Sequence, residues 1–368
     1  MDFKSAQDVK LKHKELGYPE HFCVAPFTTM LFEPDGKVGA CRQKGSEYAV
    51  GNIFEQKFED IWNGEKLQKW RKQFLNGNPT NCSRDIKDKS CNLCPEYNSL
   101  LKSIEASEIQ VKKPLKIGFN FNGHCNLECN MCHIWQKPNG LYADLGLWEK
   151  LDEWIVDLQD VELLSGEPFI QKDTYKLIDL ISLKKPKAQW TITTNANWTL
   201  NDYIRQKLDQ IQIKNIIISL DCVTPEFYKK IRKKGDFEKA ISTLRQLKKY
   251  EKSRIEQGRS PLSIKINFLF QRENWTDLAL IEKFSEAEQV DVFRTFLYEP
   301  KELSILTLDE SEKIKILDWY FNNLNSLDLK KSMRVIRPIL DSLEHFNKAY
   351  MYDILLNKIN KEKIIDHV

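Results

Sequence analysis

The chain has 368 residues, of which 56 are basic and 53 acidic, so its formal net charge at neutral pH is +3. Hydrophobic residues make up 41% and charged residues 30%, which excludes a disordered chain and low-complexity or collagen-like sequence. This balance gives no bulk electrostatic reason to expect nucleic acid or an anionic membrane as the partner. Because the first residues contain no apolar core of signal-peptide length and no uncharged run approaches about 18 residues, we expect a soluble, cytoplasmic protein.

The amino-terminal region predicts a small α+β arrangement. Two strand candidates at 28–32 and 37–41 flank the turn Pro34-Asp35-Gly36, which predicts a β-hairpin. Apolar residues with helical spacing follow at 58–75. The segment 76–88 is predicted to be a loop.

From residue 115 onward, short β-branched runs alternate with longer amphipathic runs, which is typical of a parallel sheet wound by crossover helices. The six predicted strands span 115–121, 161–165, 189–195, 215–220, 263–270 and 290–297. The predicted helices between them span 147–158, 174–182, 202–210, 225–251 and 275–288. This order fits an open sheet or an incomplete barrel, and in both we expect the functional groups at the carboxyl ends of the strands.

The nine cysteines are the most informative feature of the composition. An odd number without a secretion signal favours metal or catalytic roles over a disulfide framework. They fall into an amino-terminal group, a central group and a single residue: Cys23, Cys41, Cys82, Cys91 and Cys94; Cys125, Cys129 and Cys132; and Cys222.

The central group, Cys125-x3-Cys129-x2-Cys132, follows the first predicted core strand. Three thiolates can hold three irons of a four-iron cluster and leave the fourth iron open, as a catalytic metal site requires. The alternative is a zinc knuckle, for which His124 or His133 would supply the fourth ligand.

This spacing resembles the cluster motif of the radical S-adenosylmethionine (radical SAM) enzymes. The resemblance covers roughly 115–299, and two positions depart from it, because Ser165 and Ala196 stand where glycine is usual. Three further segments are similar to motifs of that family, in the expected order: Ser165-Gly166-Glu167-Pro168, Thr193-Thr194-Asn195, and Ser219-Leu220-Asp221 followed by Ile231-Arg232. The last of these is similar to the peptide-modifying branch of the family.

The resemblance implies that the three cysteines hold a [4Fe–4S] cluster at which S-adenosylmethionine is cleaved to a 5′-deoxyadenosyl radical. The resemblance also implies that Gly166 and Glu167 bind the amino group in the methionine part of S-adenosylmethionine. Ser219 binds the ribose or carboxylate end, and Arg232 binds the carboxylate through its guanidinium fork. The backbone of Met131 lies near adenine. The implied cofactor-binding residues are Met131, Gly166, Glu167, Asn195, Ser219, Asp221 and Arg232.

The amino-terminal cysteines resemble the twitch or SPASM domain with which some radical SAM enzymes hold an auxiliary [4Fe–4S] cluster. Four thiolates close such a cluster completely. No cysteine follows Cys222, which favours a twitch domain over a full SPASM domain, and Cys82 is unassigned. A structural zinc ion is the alternative. The auxiliary ligands implied by the resemblance are Cys23, Cys41, Cys91 and Cys94.

Cys222 stands at the end of the fourth predicted core strand. It is either a buried small hydrophobic residue or a catalytic thiol that returns a hydrogen atom to a substrate radical, as an epimerase needs. Asn267 lies within the fifth strand, and Tyr298 and Glu299 close the sixth. Their position makes them candidates for contact with cofactor or substrate.

The sequence therefore predicts an α/β fold: a partial (β/α)6 radical SAM barrel with a small amino-terminal α+β twitch domain and a helical carboxyl-terminal tail. The predicted domains are 1–110, 111–305 and 306–368. The expected enzyme is an oxidoreductase or epimerase that abstracts hydrogen from a peptide or small polar metabolite, with an electron donor such as flavodoxin or ferredoxin. Two alternatives stay open: modification of a nucleotide or nucleic-acid base, and a non-catalytic cluster-bearing partner protein.

Overall fold

The chain divides into two units built from interleaved segments. A computed structural model describes residues 6–41, 49–80, 100–137, 139–140 and 142–365. The first unit comprises Met1–His124, Ile134–Ile192 and Tyr203–Lys214, and the second comprises Cys125–His133, Thr193–Asp202 and Asn215–Val368.

The first unit is an α/β arrangement around one mixed sheet in the order β3-β2-β1-β4-β5-β6. Its strands are β1 (Thr29–Phe32), β2 (Lys37–Gly39), β3 (Gly51–Asn52), β4 (Lys116–Phe119), β5 (Asp160–Leu163) and most of β6 (Gln189–Thr194). Its helices are α1 (Ala6–Glu15), α2 (Ala25–Thr28), α3 (Phe58–Trp62), α4 (Glu65–Leu75), α5 (Leu147–Trp154), α6 (Lys172–Lys184) and α7 (Asp202–Asp209). The fully buried ring of Phe32 stacks on Trp154, with ring centroids 5.2 Å apart.

The amino-terminal hairpin continues the sheet of the first unit. Strand β1 is antiparallel to β2 but parallel to β4, in a register that runs from Thr29 opposite Lys116 to Phe32 opposite Phe119. The sequence predicted the hairpin but not this pairing. Parallel neighbours need a long crossover connection, and no local pattern signals which distant strand will be chosen.

The second unit contains three parallel strands in the order β7-β8-β9. They are β7 (Gln212–Ser219, in the second unit from Asn215 onward), β8 (Ser263–Phe270) and β9 (Asp291–Phe296). The helices are α8 (Pro225–Ile231), α9 (Phe237–Glu256), α10 (Asp277–Glu288), α11 (Glu310–Asn323), α12 (Ser326–Lys331), α13 (Met333–Asp341) and α14 (His345–Ile365). Alternate residues of β8 are buried, so one face of this sheet forms a core.

Two predicted helices are each divided in the structure. The helix predicted at 58–75 is α3 and α4, separated at Gly64, where an added Cβ would lie 2.2 Å from the Asp60 carbonyl oxygen. The helix predicted at 225–251 is α8 and α9, separated by Lys234 at a positive φ of 66°. Apolar spacing does not detect such breaks, because it carries no information about the backbone conformation of single residues.

The predicted α/β fold with a helical carboxyl-terminal region is confirmed. All six predicted core strands are present, with ends shifted by at most three residues, and β8 has the predicted bounds. Within the described ranges, no helix is both long enough and apolar enough to cross a membrane.

Candidate active site

The three predicted cluster ligands lie in one loop of the second unit. Hydrogen bonds from Asn130 N to Ile231 O (2.9 Å) and from Glu128 N to Lys233 O (3.0 Å) hold this loop against the end of α8. Met131 is half-buried in the same loop. The cysteines are also half-buried: Cys125, Cys129 and Cys132.

Nitrogen donors surround two of the three sulfur atoms. Leu127 N lies 3.4 Å and Asn195 Nδ2 lies 3.6 Å from Cys125 Sγ, and Arg232 Nη1 lies 3.8 Å from Cys129 Sγ. Burial raises the pKa of the Cys129 thiol to about 12, although Arg232 opposes this. Hydrogen bonds to ligand sulfur are a means by which proteins tune iron–sulfur clusters, so these contacts suit a cluster site.

The number and kind of ligands in the loop suit a four-iron cluster. Across the described ranges, no three Cys, His, Asp or Glu side chains are close enough to share one metal ion. In a four-iron cluster each thiolate binds a different iron atom, so the three sulfurs need not converge on a single point. His124 and His133, the candidates for a fourth zinc ligand, are both exposed.

Asn195 is fixed beside Cys125 by a set of amide contacts. Its Nδ2 donates to Asn126 Oδ1 (2.9 Å), and its Oδ1 accepts from Asn197 N (2.7 Å). Asn126 Nδ2 in turn donates to Asn197 O, at 2.7 Å. Between them the backbone of the buried Ala196 has a positive φ of 57°. The sequence predicted Asn195 but missed Asn126 and Asn197, whose only signal is that they lie inside or next to the two motifs.

Asp221 and Arg232 form a buried ion pair. Arg232 Nη2 lies 2.8 Å from Asp221 Oδ2, and the two side chains are 7% and 0% exposed. Burial lowers the pKa of Arg232, but Asp221, with smaller contributions from Cys129, Tyr228 and Cys222, outweighs burial and raises the pKa above its usual value, so the guanidinium stays charged. Burial raises the pKa of Asp221, which Arg232 partly offsets. Among the described residues Arg232 Nε has no hydrogen-bond partner, which leaves one donor for a carboxylate.

The predicted Gly166–Glu167 segment belongs to the first unit. Gly166 has a positive φ of 58°, and a Cβ there would lie 2.2 Å from the carbonyl oxygen of His124. That oxygen accepts hydrogen bonds from Glu167 N (3.0 Å) and from Gln171 Nε2 (2.9 Å). The fully buried Glu167 carboxylate accepts from Phe169 N at 3.1 Å. Only glycine fits this close approach of two backbone segments.

The remaining candidates differ in their surroundings. Ser219 is half-buried at the carboxyl end of β7 and lies opposite Asn267 in the sheet register. Asn267 Oδ1 accepts a hydrogen bond from Thr295 Oγ1 at 3.1 Å. Tyr298 is 42% exposed and Glu299 is exposed, beyond the end of β9. Ser219 and Asn267 are thus neighbours, and their roles stay predictions.

Cys222 is fully buried, and burial raises the pKa of its thiol above the usual range. The backbone after it is held by Asp277, whose Oδ2 accepts from Val223 N (2.8 Å) and Thr224 N (3.0 Å). Burial agrees with a packing residue, and the proposed hydrogen-donor role stays a prediction. The sequence did not indicate Asp277, because its partners lie 53 and 54 positions away.

Two of the four predicted auxiliary ligands can be placed. Cys23 and Cys41 are half-buried in the first unit, and Cys41 follows β2 closely. Cys91 and Cys94 lie outside the described residues, as does the unassigned Cys82.

Two family models match the chain. One is the radical SAM superfamily, over residues 119–260. The other is the SPASM family, an iron–sulfur cluster-binding domain, over residues 23–95. The first range includes the three loop cysteines, and the second includes all four predicted auxiliary ligands.

Curated relatives of the chain include proteins named as GTP 3′,8-cyclases. A protein of Methanocaldococcus jannaschii named "Probable GTP 3′,8-cyclase" is 30% identical over 165 residues, which are 44% of this chain and 51% of that protein. A protein of Saccharolobus islandicus with the same name is 24% identical over 234 residues, 62% of this chain and 67% of that protein. The chain therefore matches about half of the length of the first relative.

Similar solved structures include anSMEcpe with bound AdoMet and a Cp18Cys peptide, at 18% identity and a TM-score of 0.42, covering 60% of this chain and 62% of that one. Another is SuiB of Streptococcus suis bound to the precursor peptide SuiA, at 13% identity and a TM-score of 0.41. That match covers 82% of this chain and 69% of SuiB.

Proposed function

Given that the chain belongs to the radical SAM enzyme family and carries an amino-terminal SPASM domain, we propose that it abstracts a hydrogen atom from an organic substrate. When bound, the cluster and S-adenosylmethionine supply the 5′-deoxyadenosyl radical that such a reaction needs. The observation that carries the proposal is the loop of three half-buried cysteines, with nitrogen donors directed at two of their sulfurs.

The chain's own residues would hold the cofactors in defined roles. Cys125, Cys129 and Cys132 would each bind one iron atom. The unpaired Nε of Arg232 would donate to the carboxylate of S-adenosylmethionine. Ser219, at the carboxyl end of its strand, would bind the ribose or carboxylate end.

Other residues would shape the cofactor site without touching iron. The backbone at Gly166 and Glu167 would bind the methionine amino group, and the backbone of Met131 would lie near adenine. Asn195 and Asp221 would act through their neighbours, since their side chains contact Cys125 and Arg232 respectively.

The auxiliary cluster would be held by four thiolates of the SPASM domain: Cys23, Cys41, Cys91 and Cys94. Four thiolates leave no open iron, so this cluster would accept an electron from the substrate or shape the site. Two of the four lie in the described residues and both are half-buried, which is compatible with that role.

The proposed substrate is a peptide or a small polar metabolite, and the proposed outcome is oxidation or epimerisation. The support is the Ser219-Leu220-Asp221 segment followed by Ile231-Arg232, which is similar to the peptide-modifying branch of the family. The electron for cofactor cleavage would come from a small donor such as flavodoxin or ferredoxin. Modification of a nucleotide is the second candidate, favoured by the relatives named GTP 3′,8-cyclases.

Anaerobic turnover tests the proposal. The reconstituted chain, dithionite and S-adenosylmethionine should release 5′-deoxyadenosine, and Cys129→Ala should release none. Failure of a chain fully loaded with iron to release any would favour the non-catalytic partner instead.

The substrate class is tested by adding deuterated candidates to the same mixture. Transfer of deuterium into 5′-deoxyadenosine from a peptide or amino-acid metabolite would support the first candidate. Transfer from deuterated GTP would support the second and contradict the first.

A further inference from the structure

Arg232 is a buried cation in a run of exposed ones. Its neighbours Lys230, Lys233 and Lys234 are exposed, whereas Arg232 is buried at the C-cap of helix α8. Its guanidinium is shared between a carboxylate, Asp221, and a predicted cluster ligand, Cys129. A surface role for this run does not account for that placement.

Neither member of the pair can easily move. Asp221 Oδ1 accepts from Leu269 N at 3.1 Å, and its carbonyl oxygen accepts from Asn274 Nδ2 at 2.5 Å. Arg232 N donates to Tyr228 O at 2.7 Å, and Tyr228 is fully buried. The backbone is therefore held at both residues, and the Asp221 carboxylate is held by Leu269 N.

The order of the charges has an electrostatic consequence. The guanidinium of Arg232 contacts Cys129 Sγ, and the Asp221 carboxylate contacts the guanidinium. A donor and positive charge at a ligand sulfur stabilise the reduced cluster, whereas a nearby negative charge destabilises it. Because both side chains are buried, solvent screens these effects little.

We propose that the Asp221–Arg232 pair sets the reduction potential of the cluster bound at Cys129, with Arg232 raising the potential and Asp221 lowering it. This inference rests on the proposed function, since it requires that the cluster is bound. It makes Asp221 a positioning residue that acts through Arg232. It also assigns Arg232 a role that exists before S-adenosylmethionine binds.

The test is a redox titration of the full-length reconstituted protein without S-adenosylmethionine, followed by electron paramagnetic resonance. The signal of the catalytic cluster is identified as the one that S-adenosylmethionine perturbs in a parallel sample. We expect Arg232→Met to shift the midpoint potential to more negative values, because a donor and a positive charge are lost. We expect Asp221→Asn to shift it to more positive values, because the charge opposing Arg232 is removed.

A matched control separates this effect from loss of any cation. Arg245 lies in the same unit but is 60% exposed and pairs with Glu288, so Arg245→Met should leave the midpoint unchanged. Unchanged midpoints in both test variants, or shifts of the same sign, would overturn the proposal. Loss of S-adenosylmethionine affinity in Arg232→Met with an unchanged midpoint would overturn it too and leave a pure carboxylate-binding role.

A second variant of Arg232 keeps the proposal testable if Arg232→Met does not bind its cluster. If Arg232→Met does not take up iron, Arg232→Lys keeps the charge but not the guanidinium fork, and a smaller negative shift is expected. An unchanged midpoint in Arg232→Lys together with no positive shift in Asp221→Asn would overturn the proposal. Absence of any signal that S-adenosylmethionine perturbs in the unaltered chain would instead contradict the proposed function.

Discussion

At the scale of single residues, Gly166 makes a sharp prediction. Its φ is positive, and an added Cβ would lie only 2.2 Å from the His124 carbonyl oxygen, so there is no room for a side chain. Because an added Cβ would collide with that oxygen and displace the Gly166–Glu167 backbone, Gly166→Ala should weaken S-adenosylmethionine binding by roughly tenfold or more. Equilibrium binding to the loaded protein measures this.

Gly258 supplies the control for that variant. It has a similar positive φ of 73°, but no atom lies within 4 Å of an added Cβ. Gly258→Ala therefore introduces the backbone strain without the collision, and should leave the affinity unchanged. Equal affinities of the unaltered chain, Gly166→Ala and Gly258→Ala for S-adenosylmethionine would mean that the Gly166 segment does not contribute to the cofactor site.

Substitution of Cys222 tests whether this residue serves only in packing or donates a hydrogen atom to a substrate radical. Because it is fully buried, we expect Cys222→Ala to lower the free energy of unfolding by about 1 kcal/mol. Substrate turnover per 5′-deoxyadenosine should be retained. If the variant still cleaves S-adenosylmethionine but no longer forms product, the thiol is the hydrogen donor after all.

At the scale of secondary structure, helix α10 ends on a strained residue. Gln289 is exposed and has φ 48° and ψ 56°, a left-handed conformation that glycine adopts without strain. We predict that Gln289→Gly stabilises the protein by about 0.5–1 kcal/mol, measured by thermal or denaturant unfolding.

The end of helix α9 offers a matched control. Gln257 occupies the corresponding position but has φ −85°, which any residue adopts. Gln257→Gly should be neutral or destabilising, because glycine adds only conformational freedom to the unfolded chain. Stabilisation by both variants, or by neither, would contradict the explanation from backbone handedness.

The secondary-structure elements also show how much of the fold could be predicted from the sequence. Periodicity located all six core strands, because burial on one or both faces leaves a pattern of apolar residues. It missed the helix breaks near Gly64 and Lys234, which depend on local backbone conformation, and the pairing of β1 with β4, which depends on a distant partner. Short motifs located the candidate ligands.

The contacts that support those candidate ligands could not be predicted from the sequence in this way. Asn126 and Asn197 contact each other across 71 positions, and Asp277 holds Val223 and Thr224 across 54 and 53. Such contacts leave no periodic pattern in a single sequence. The ion pair of Asp221 with Arg232 was not predicted either, although both positions lie within one resembling motif.

At the scale of the whole molecule, the first unit depends on the buried Arg71. Its guanidinium donates to the carbonyl oxygens of Pro26, Trp62 and Glu108, and to Asn63 Oδ1, at 2.8–3.0 Å. Burial lowers its pKa to about 9. Lysine cannot reproduce this planar set of donors, so Arg71→Lys should lower the free energy of unfolding by about 3–5 kcal/mol.

Denaturant unfolding of Arg71→Lys, compared with the exposed Arg245→Lys, checks this prediction. The control should change stability by no more than about 0.5 kcal/mol. A similarly small effect at Arg71 would mean that the surrounding carbonyl groups find other donors.

The central claim is that the cysteines divide into an open set of three and a closed set of four. Iron and acid-labile sulfide are to be determined in the anaerobically reconstituted chain and in the triple variant Cys125→Ala/Cys129→Ala/Cys132→Ala. We predict about eight irons per chain for the former and about four for the latter, with 5′-deoxyadenosine released only by the former. Zinc without iron, or an iron content that the triple variant does not reduce, would contradict the claim.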